Sequence, residues 1–455
     1  SLMGTTVAAI ATPAGSGGLG TVRISGDDAV NIADRVFISV SGRKLRELNG
    51  YTALLGRIKK KKKTVDEAVA LVFKAPKSYT GENVVELSVH GGEYVVNRVL
   101  RAVLDAGALL AGPGEFTKRA FLNGKMDLSQ AEAVMDIISA NGEQALNAGN
   151  EALGGVVSRR CESIKEKLTF AAATVAAFSD FPDEEPEFSG IDKLEERLIQ
   201  AEKELRELID GYDTGRMIRN GISTVIAGPP NAGKSTLMNL LSGYERSIVT
   251  PIAGTTRDVL EETVRFGSVT LRLSDTAGLR DTEDEVERIG VERSKSKLDT
   301  ADLILAVIDG SEALSAETLE LIDGLSSKKT VLIFNKSDKG APDVSFAEKR
   351  GMKYVIMSAA DGSGLESLKD MISELTGTAG LEETAAVYLN ERQRNCAVRA
   401  LKYVKDASEA YSAGFTIDAV GVCLDDGLAA LAEITGERVT SMVADEVFKN
   451  FCVGK

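Results

Sequence analysis

A chain of 455 residues, 43% hydrophobic and 5% aromatic, is long enough for two to four domains with ordinary buried cores. A formal net charge of −14 argues against a surface that steers broadly toward nucleic acid, so any RNA contact falls to a local basic patch or to a partner. One histidine and four cysteines without paired spacing (Cys161, Cys396, Cys423 and Cys452) exclude a credible zinc cluster and suit a reducing compartment better than a disulfide framework.

No stretch approaches about 18 uninterrupted apolar residues, and no signal-peptide pattern precedes the first strand. The expectation is a cytoplasmic protein with no membrane span.

From residue 5 to about 116, short β-rich runs at 6–11, 21–25, 51–58, 65–73 and 84–90 alternate with helical patterns. Asp27 reads as the N-cap of a helix over 29–36, and 93–105 carries a helical apolar stripe. This is an α/β domain whose purpose spacing alone does not reveal. The five lysines at 59–63 lie between two strands and read either as a solvated hairpin tip or as the one dense basic patch of the chain.

From 128 to 212 the strand signal vanishes. Ile164, Leu168, Ala171, Val175 and Phe178 recur at helical spacing, as do Leu194, Leu198, Ala201, Leu205, Leu208 and Tyr212, so these segments form helices that pack on one another. Pro182 and Pro186, in an acidic run, separate them.

The apolar run Val225-Ile226-Ala227 then feeds Gly228-Pro229-Pro230-Asn231-Ala232-Gly233-Lys234-Ser235. This is the order strand, phosphate-binding loop, helix. Glycine is needed at 228 and 233, where a Cβ would intrude on the phosphates; Lys234 reaches the outer phosphates, and Ser235 offers a hydroxyl to Mg²⁺ as Thr236 continues the helix.

Asp275-Thr276-Ala277-Gly278 follows the strand-like run 269–273 where a small GTPase senses Mg²⁺ and the γ-phosphate. Asn335-Lys336-Ser337-Asp338 closes the apolar run 331–334; the Asp338 carboxylate accepts from guanine N1–H and N2–H₂, a donor pair that adenine lacks. Ser358-Ala359-Ala360 completes the base pocket. Together these four signals make the middle of the chain a Ras-like P-loop GTPase that selects GTP over ATP.

Leu279 stands where Ras-type enzymes carry the water-orienting glutamine, so another group is required. Glu283, Glu285 and Glu287 are the candidate carboxylates. Positive charge at the bridging oxygen can come from a monovalent cation near the Asn231 side-chain oxygen and the carbonyls of 250–255, or from Arg257 as a finger in cis.

After residue 375, Gly377 to Gly380 reads as a linker, and Ala397, Leu401, Val404, Ser408 and Tyr411 resume a helical stripe. The organisation expected is multidomain: an α/β N-terminal domain (1–120), a helical-bundle domain in two parts (121–215 and 379–455), and an α/β P-loop GTPase domain (216–378) inserted between them.

The whole chain resembles the MnmE (TrmE) family of tRNA modification GTPases. The resemblance lies in Ala11-Thr12-Pro13-Ala14-Gly15 with Arg23-Ile24-Ser25-Gly26, in Pro113-Gly114-Glu115-Phe116 through Arg119 to Lys125, in Asp180-Phe181-Pro182-Asp183-Glu184-Glu185, in Gly254-Thr255-Thr256-Arg257-Asp258, and in the final Cys452-Val453-Gly454-Lys455. It implies an N-terminal domain that binds a tetrahydrofolate derivative (5-formyl- or 5,10-methylene-tetrahydrofolate) and forms a homodimer, with folate contacts on Arg23, Glu86, Lys125 and Lys455.

It further implies catalytic roles for Glu287 and Cys452, magnesium ligands at Ser235 and Thr256, and a potassium site of Asn231, Thr250, Ile252 and Thr255. An FAD-containing MnmG-type partner would join it in adding an aminomethyl-type group at C5 of the tRNA wobble uridine. The rival readings are a ribosome-assembly or RNA-chaperone GTPase with unrelated flanking modules, and a folate-dependent transferase whose GTPase domain is regulatory.

Overall fold

The computed structural model describes residues 4–180, 191–243, 261–274, 297–325, 327–379 and 387–455. They fall into two compact units, Ser1–Met135 with Leu428–Lys455, and Asp136–Gly427.

The first unit is built on a sheet of β1 (Val7–Ile10), β2 (Leu19–Ser25), β3 (Phe37–Ser39), β4 (Thr52–Lys60), β5 (Lys63–Phe73), β6 (Val84–His90) and β7 (Leu109–Leu110). Their order is β3-β4-β5-β6-β2-β1-β7, antiparallel throughout except where β7 joins β1 in parallel. The strands alternate as a half-covered sheet should: Val22 and Ile24 of β2 and Val85, Leu87 and Val89 of β6 point to one face. There α1 (Ala29–Val36) and α2 (Glu93–Asp105) bury their apolar stripes against them.

On the opposite face, Val7 and Ala9 pack with Ala111 and with Phe116 of α3 (Glu115–Leu122). The C-terminal helix Ser441–Lys449 lies against α3 through the Lys118–Asp445 ion pair and the Phe121–Phe448 contact at 6.4 Å between ring centroids.

Two local expectations need correction here. The N-cap of α1 is Asp28, not Asp27, and it caps without a side-chain hydrogen bond, because its carboxylate instead accepts from Asn31 Nδ2. The short strands β3 and β7 are missing from the sequence reading, since three and two residues are too few to show a period.

The second unit begins with helices. α4 (Leu128–Ile138) crosses its boundary, followed by α5 (Glu143–Leu153), α6 (Val156–Asp180), α7 (Ile191–Asp210) and α8 (Tyr212–Asn220). The stripes Ile164, Leu168, Ala171, Val175 and Leu194, Leu198, Ala201, Leu205, Leu208 are buried, and α6 packs on α7. Helix Glu391–Ser412 also packs on α7, starting from an Asn390–Gln393 capping box.

The buried face of that helix is Cys396, Ala397, Ala400, Val404 and Ala407. Leu401, Ser408 and Tyr411 sit at its half-buried border. Of the expected stripe, Ala397 and Val404 are buried, and the buried face runs on through Cys396, Ala400 and Ala407 rather than through Leu401, Ser408 and Tyr411.

Between these helices lies a six-stranded sheet of β8 (Ile222–Ala227), β9 (Glu261–Phe266), β10 (Val269–Ser274), β11 (Leu303–Asp309), β12 (Thr330–Asn335) and β13 (Lys353–Ile356), in the order β13-β12-β11-β8-β10-β9. All pairs are parallel except β9 with β10. Its central strands are continuous apolar runs because both faces are covered. α9 (Lys234–Gly243) and helix Leu365–Leu375 cover one face, and helices Ala316–Asp323 and Ser345–Lys349 the other.

A candidate nucleotide site and a second side-chain constellation

In the six-stranded sheet the chain leaves β8 with β10 on one side and β11 on the other. In an open parallel sheet, the crevice beyond the carboxyl ends at such a reversal is where ligands bind. The loop after β8 occupies that position, and its glycines are dictated by neighbouring backbone and side chains.

Gly228 has φ of 148°, and a Cβ there would stand 2.1 Å from the carbonyl oxygen of Val307 on β11. Gly233, at φ of 99°, would meet Asn335 Nδ2 at 2.1 Å. Asn231 takes φ of 60°, a left-handed conformation that asparagine tolerates better than most residues. Lys234 opens α9 and donates from Nζ to the carbonyls of Gly228 and Pro229, both at 2.7 Å. Ser235 and Thr236 are exposed in the first turn. A hydroxyl in that place, beside the N–H groups of a helix start, would suit a ligand to the Mg²⁺ of a bound nucleotide.

The base side is tied to this loop by one buried side chain. Asn335, at the end of β12, donates from Nδ2 to the Ala232 carbonyl at 2.9 Å and accepts from the Ala359 N–H at Oδ1, 2.8 Å away. It therefore braces the phosphate loop to the Ser358-Ala359-Ala360 segment, a role that its place in the motif does not disclose.

Ser358 and Ala359 are buried, while Ala360 and Asp338 face solvent. Lys336, at φ of 64°, is held by Asp309 Oδ2 at 2.5 Å. Burial alone would push the Asp309 carboxyl up; the Lys336 ammonium and the hydroxyl and N–H of Ser311 instead hold it below the usual range. Asp309 carries no sequence signature beyond ending an apolar strand. Thr250, Ile252, Thr255, Thr256, Asp275, Gly278 and Glu287, together with the rival Arg257, lie outside the described residues.

In the first unit, the face of the sheet opposite α1 and α2 carries a second constellation. Alternation along β2 turns Arg23 away from Val22 and Ile24, and the register places it directly opposite Glu86 of β6. Arg23 Nε donates to Glu86 Oε1 at 2.8 Å and Nη1 to the Gly454 carbonyl at 3.1 Å. The guanidinium also lies 5.6 Å from the Tyr79 ring centroid and 5.5 Å from that of Phe116.

Lys455 Nζ sits 4.9 Å above the same tyrosine ring. Burial, and then the nearby Arg23 charge, lower its pKa. Burial raises that of Tyr79, whose hydroxyl is 2.8 Å from Thr117 Oγ1. Lys125 reaches the Pro76 carbonyl at 3.3 Å.

The chain end is strapped down by backbone. Gly114 N–H donates to the Cys452 carbonyl, Phe116 N–H to the Lys455 carbonyl, and Pro113 bridges Val453. Gly454 adopts φ of 95°, and a Cβ there would come within 2.2 Å of the Ile10 carbonyl oxygen. Cys452 is exposed on this strap. Beneath it, buried Arg119 donates to the Thr5 carbonyl, Glu82 and Glu115, which fixes the helix that presents Phe116.

Two cations, one carboxylate and two aromatic faces suit an anionic ligand with a planar ring. Spacing did not point to Tyr79 or Glu82, because they come from a loop between strands, far in sequence from residue 455.

Among the described residues, no helix is long and apolar enough to cross a membrane. The chain matches the family described as MnmE helical domain over residues 128–452, and that described as GTP-binding protein TrmE N-terminus over residues 6–125. It is 40% identical over 457 residues to the tRNA modification GTPase MnmE of Clostridioides difficile (strain 630), and 41% identical over 457 residues to that of Geobacter sulfurreducens, with 99% of both chains covered in each case. The similarity includes the flanks as well as the middle, which excludes a GTPase set among unrelated modules.

Proposed function

The chain belongs to the MnmE family of tRNA modification GTPases, and from that premise we propose that it hydrolyses GTP to GDP and phosphate in the service of one-carbon chemistry at the tRNA wobble uridine. The observation that carries this reading is that one chain holds both a loop 228–235 braced by Asn335 to the 358–360 segment and a cluster of Arg23, Glu86 and Lys455 around Tyr79.

In hydrolysis, water attacks the γ-phosphorus, the bond to the β–γ bridging oxygen breaks, and GDP leaves. The loop 228–235 and Lys234 hold the phosphates, and Glu287 orients the water and takes up its proton. Asp338 and the 358–360 segment hold guanine. Mg²⁺, with Ser235 and Thr256 as its protein ligands, neutralises phosphate charge when bound. Asn231, Thr250, Ile252 and Thr255 would hold a K⁺ ion, which would supply positive charge to the departing phosphate.

Arg23 of the N-terminal domain (1–120), joined by Lys125 and Lys455 from beyond its bounds, binds the carboxylates of a tetrahydrofolate derivative, while Glu86 accepts from the donor edge of its pterin. The bound folate supplies the carbon added at C5 of uridine. A homodimer acting with an FAD-containing MnmG-type partner completes the reaction, and Cys452 serves as its nucleophile or acid. The helical domain (121–215 and 379–455) carries the inserted GTPase domain (216–378).

The test is nucleoside mass spectrometry of bulk tRNA from a deletion strain complemented with this chain. Restored C5-modified uridine is expected; unmodified wobble uridine overturns the proposal. Hydrolysis compared in equal KCl and NaCl tests the cation: K⁺ accelerates the wild type, and Asn231→Ala removes the acceleration. Equal rates in both salts, with turnover abolished by Arg257→Ala, assign the charge to Arg257 instead.

A further inference from the structure

The hairpin joining β4 to β5 is built against ordinary turn chemistry. Lys61 and Lys62 form its two-residue loop between the paired Lys60 and Lys63, with φ of 48° and 68°. A two-residue loop with both residues left-handed is the arrangement for which Asn-Gly is strongly preferred, because a Cβ makes that region costly. Lysine is a poor choice for the turn. What it contributes is charge.

Residues 59–63 are all lysine in a chain of net charge −14, and two nearby acids, Asp105 and Asp66, are already engaged. Asp105, at the end of α2, pairs with Lys60 at 2.5 Å; that hydrogen bond, and then the charges of Lys60, Arg101 and Lys61, hold its carboxyl below the usual range. Asp66 is bound to His90 at 2.8 Å. Lys59, Lys61, Lys62 and Lys63 form no ion pair among the described residues. Lys61, Lys62 and Lys63 are exposed, and Arg101, like Lys61, acts by its charge on Asp105.

We propose that this lysine hairpin is a docking surface for the phosphate backbone of tRNA, a proposal that rests on the tRNA-modifying reading above. Exposed lysines act on phosphates as point charges, giving affinity and orientation without reading bases. An acidic protein that must hold RNA concentrates its cations in one projecting place. A membrane surface is the poorer match, since residues 59–64 are five lysines and a threonine, with no apolar side chain to insert.

The test replaces the turn by the pair that favours its geometry. Lys61→Asn with Lys62→Gly, in the full-length chain, keeps or raises the melting temperature and leaves GTP turnover unchanged. Binding of end-labelled bulk tRNA, followed by fluorescence anisotropy from about 50 to about 300 mM KCl, weakens about tenfold at the low-salt end, and the slope of log K against log salt becomes shallower by about one to two. Lys61→Arg with Lys62→Arg restores both, because charge rather than turn shape is the cause.

Wild-type affinity and slope in the Asn-Gly variant overturn the hairpin proposal alone. A wild-type chain that binds no tRNA at low salt overturns the tRNA reading together with it. Loss of binding to phosphatidylserine vesicles with tRNA binding intact overturns the proposal in favour of a membrane surface.

Discussion

The two pockets are made in opposite ways. Around the nucleotide loop, the contacts that matter are with backbone: Gly228 lies against the Val307 carbonyl, Lys234 bonds the carbonyls of 228 and 229, and Asn335 bonds the carbonyl of 232 and the N–H of 359. In the second constellation the groups brought together are mostly side chains gathered from β2, β6, the loop at Tyr79, α3 and the chain end, with Arg23 and Gly454 separated by 431 residues. A site built from backbone constrains which residues can stand at fixed spacing. A site built from side chains on an antiparallel sheet constrains only what lies across from what, and leaves no local pattern.

If that contrast is right, adding a single methyl group should do most damage where backbone forms the site. Gly228→Ala drives a Cβ into the Val307 carbonyl, and neither the loop nor the central strand β11 can yield without losing ladder bonds. GTP affinity measured with a fluorescent analogue falls by about 1,000-fold or more, while the first unit keeps its melting transition. Near-wild-type affinity breaks the backbone account.

The next effect is chemical rather than steric. Glu287→Ala leaves GTP affinity intact and slows single-turnover hydrolysis about 100-fold, the loss expected for a water-positioning base. A wild-type rate moves the role to Glu283 or Glu285.

The second pocket has one backbone-dictated point, and it sharpens the comparison. Gly454→Ala puts a Cβ against the Ile10 carbonyl, so the strap must lift and take Lys455 from the Tyr79 ring. Reduced-folate affinity by equilibrium dialysis falls about tenfold with GTP turnover unchanged, because a lifted strap loses a cation while Arg23, Glu86 and the aromatic rings remain. Equal folate affinity in the variant removes the chain end from the pocket.

The same contrast accounts for what the sequence made legible. The loop at 228–235, the strands ending at Ala227 and Asn335, and the helical stripes of α6 and α7 all express one period or one steric rule within a dozen residues. The folate candidates Arg23, Glu86, Lys125 and Lys455 came only from resemblance, since nothing in their spacing announces a cross-strand register. Tyr79 and Arg119 were unreadable for the same reason: one supplies a ring to two cations from a loop, and the other is a buried arginine whose three partners are brought together by the fold. On helix Glu391–Ser412 the stripe was half legible: Ala397 and Val404 are buried as expected, while Cys396, Ala400 and Ala407 complete the face in place of Leu401, Ser408 and Tyr411, because small residues carry little periodic signal.

The smallest predicted effect lies on β6, four residues beyond Glu86, in a pair that spacing also concealed. His90 Nδ1 stands 2.8 Å from Asp66 Oδ1, across 24 residues of sequence. The hydrogen bond to Asp66, and then its charge, raise the His90 pKa above the ordinary value. Burial alone would raise the Asp66 carboxyl, but the hydrogen bonds from the His90 N–H and ring hold it below.

The signs follow. The raised histidine contributes stability that is fully present below the unfolded value of about 6.5 and is lost as pH rises through the folded one; the depressed carboxylate contributes above about 3.9 and is lost as pH falls through its folded value. The pair is therefore strongest between roughly pH 4 and 6.5. The ring is 70% exposed, so solvent screens the pair and melting temperatures move little.

Since the chain has one histidine, its ring-proton resonance titrates without overlap from any other. The midpoint should stand above about 6.5 in the wild type and return to it in Asp66→Asn, which keeps the side-chain shape but not the charge. A wild-type midpoint at or below that value separates His90 from Asp66 in solution, and with it the side-chain bond that ties the end of β6 to β5.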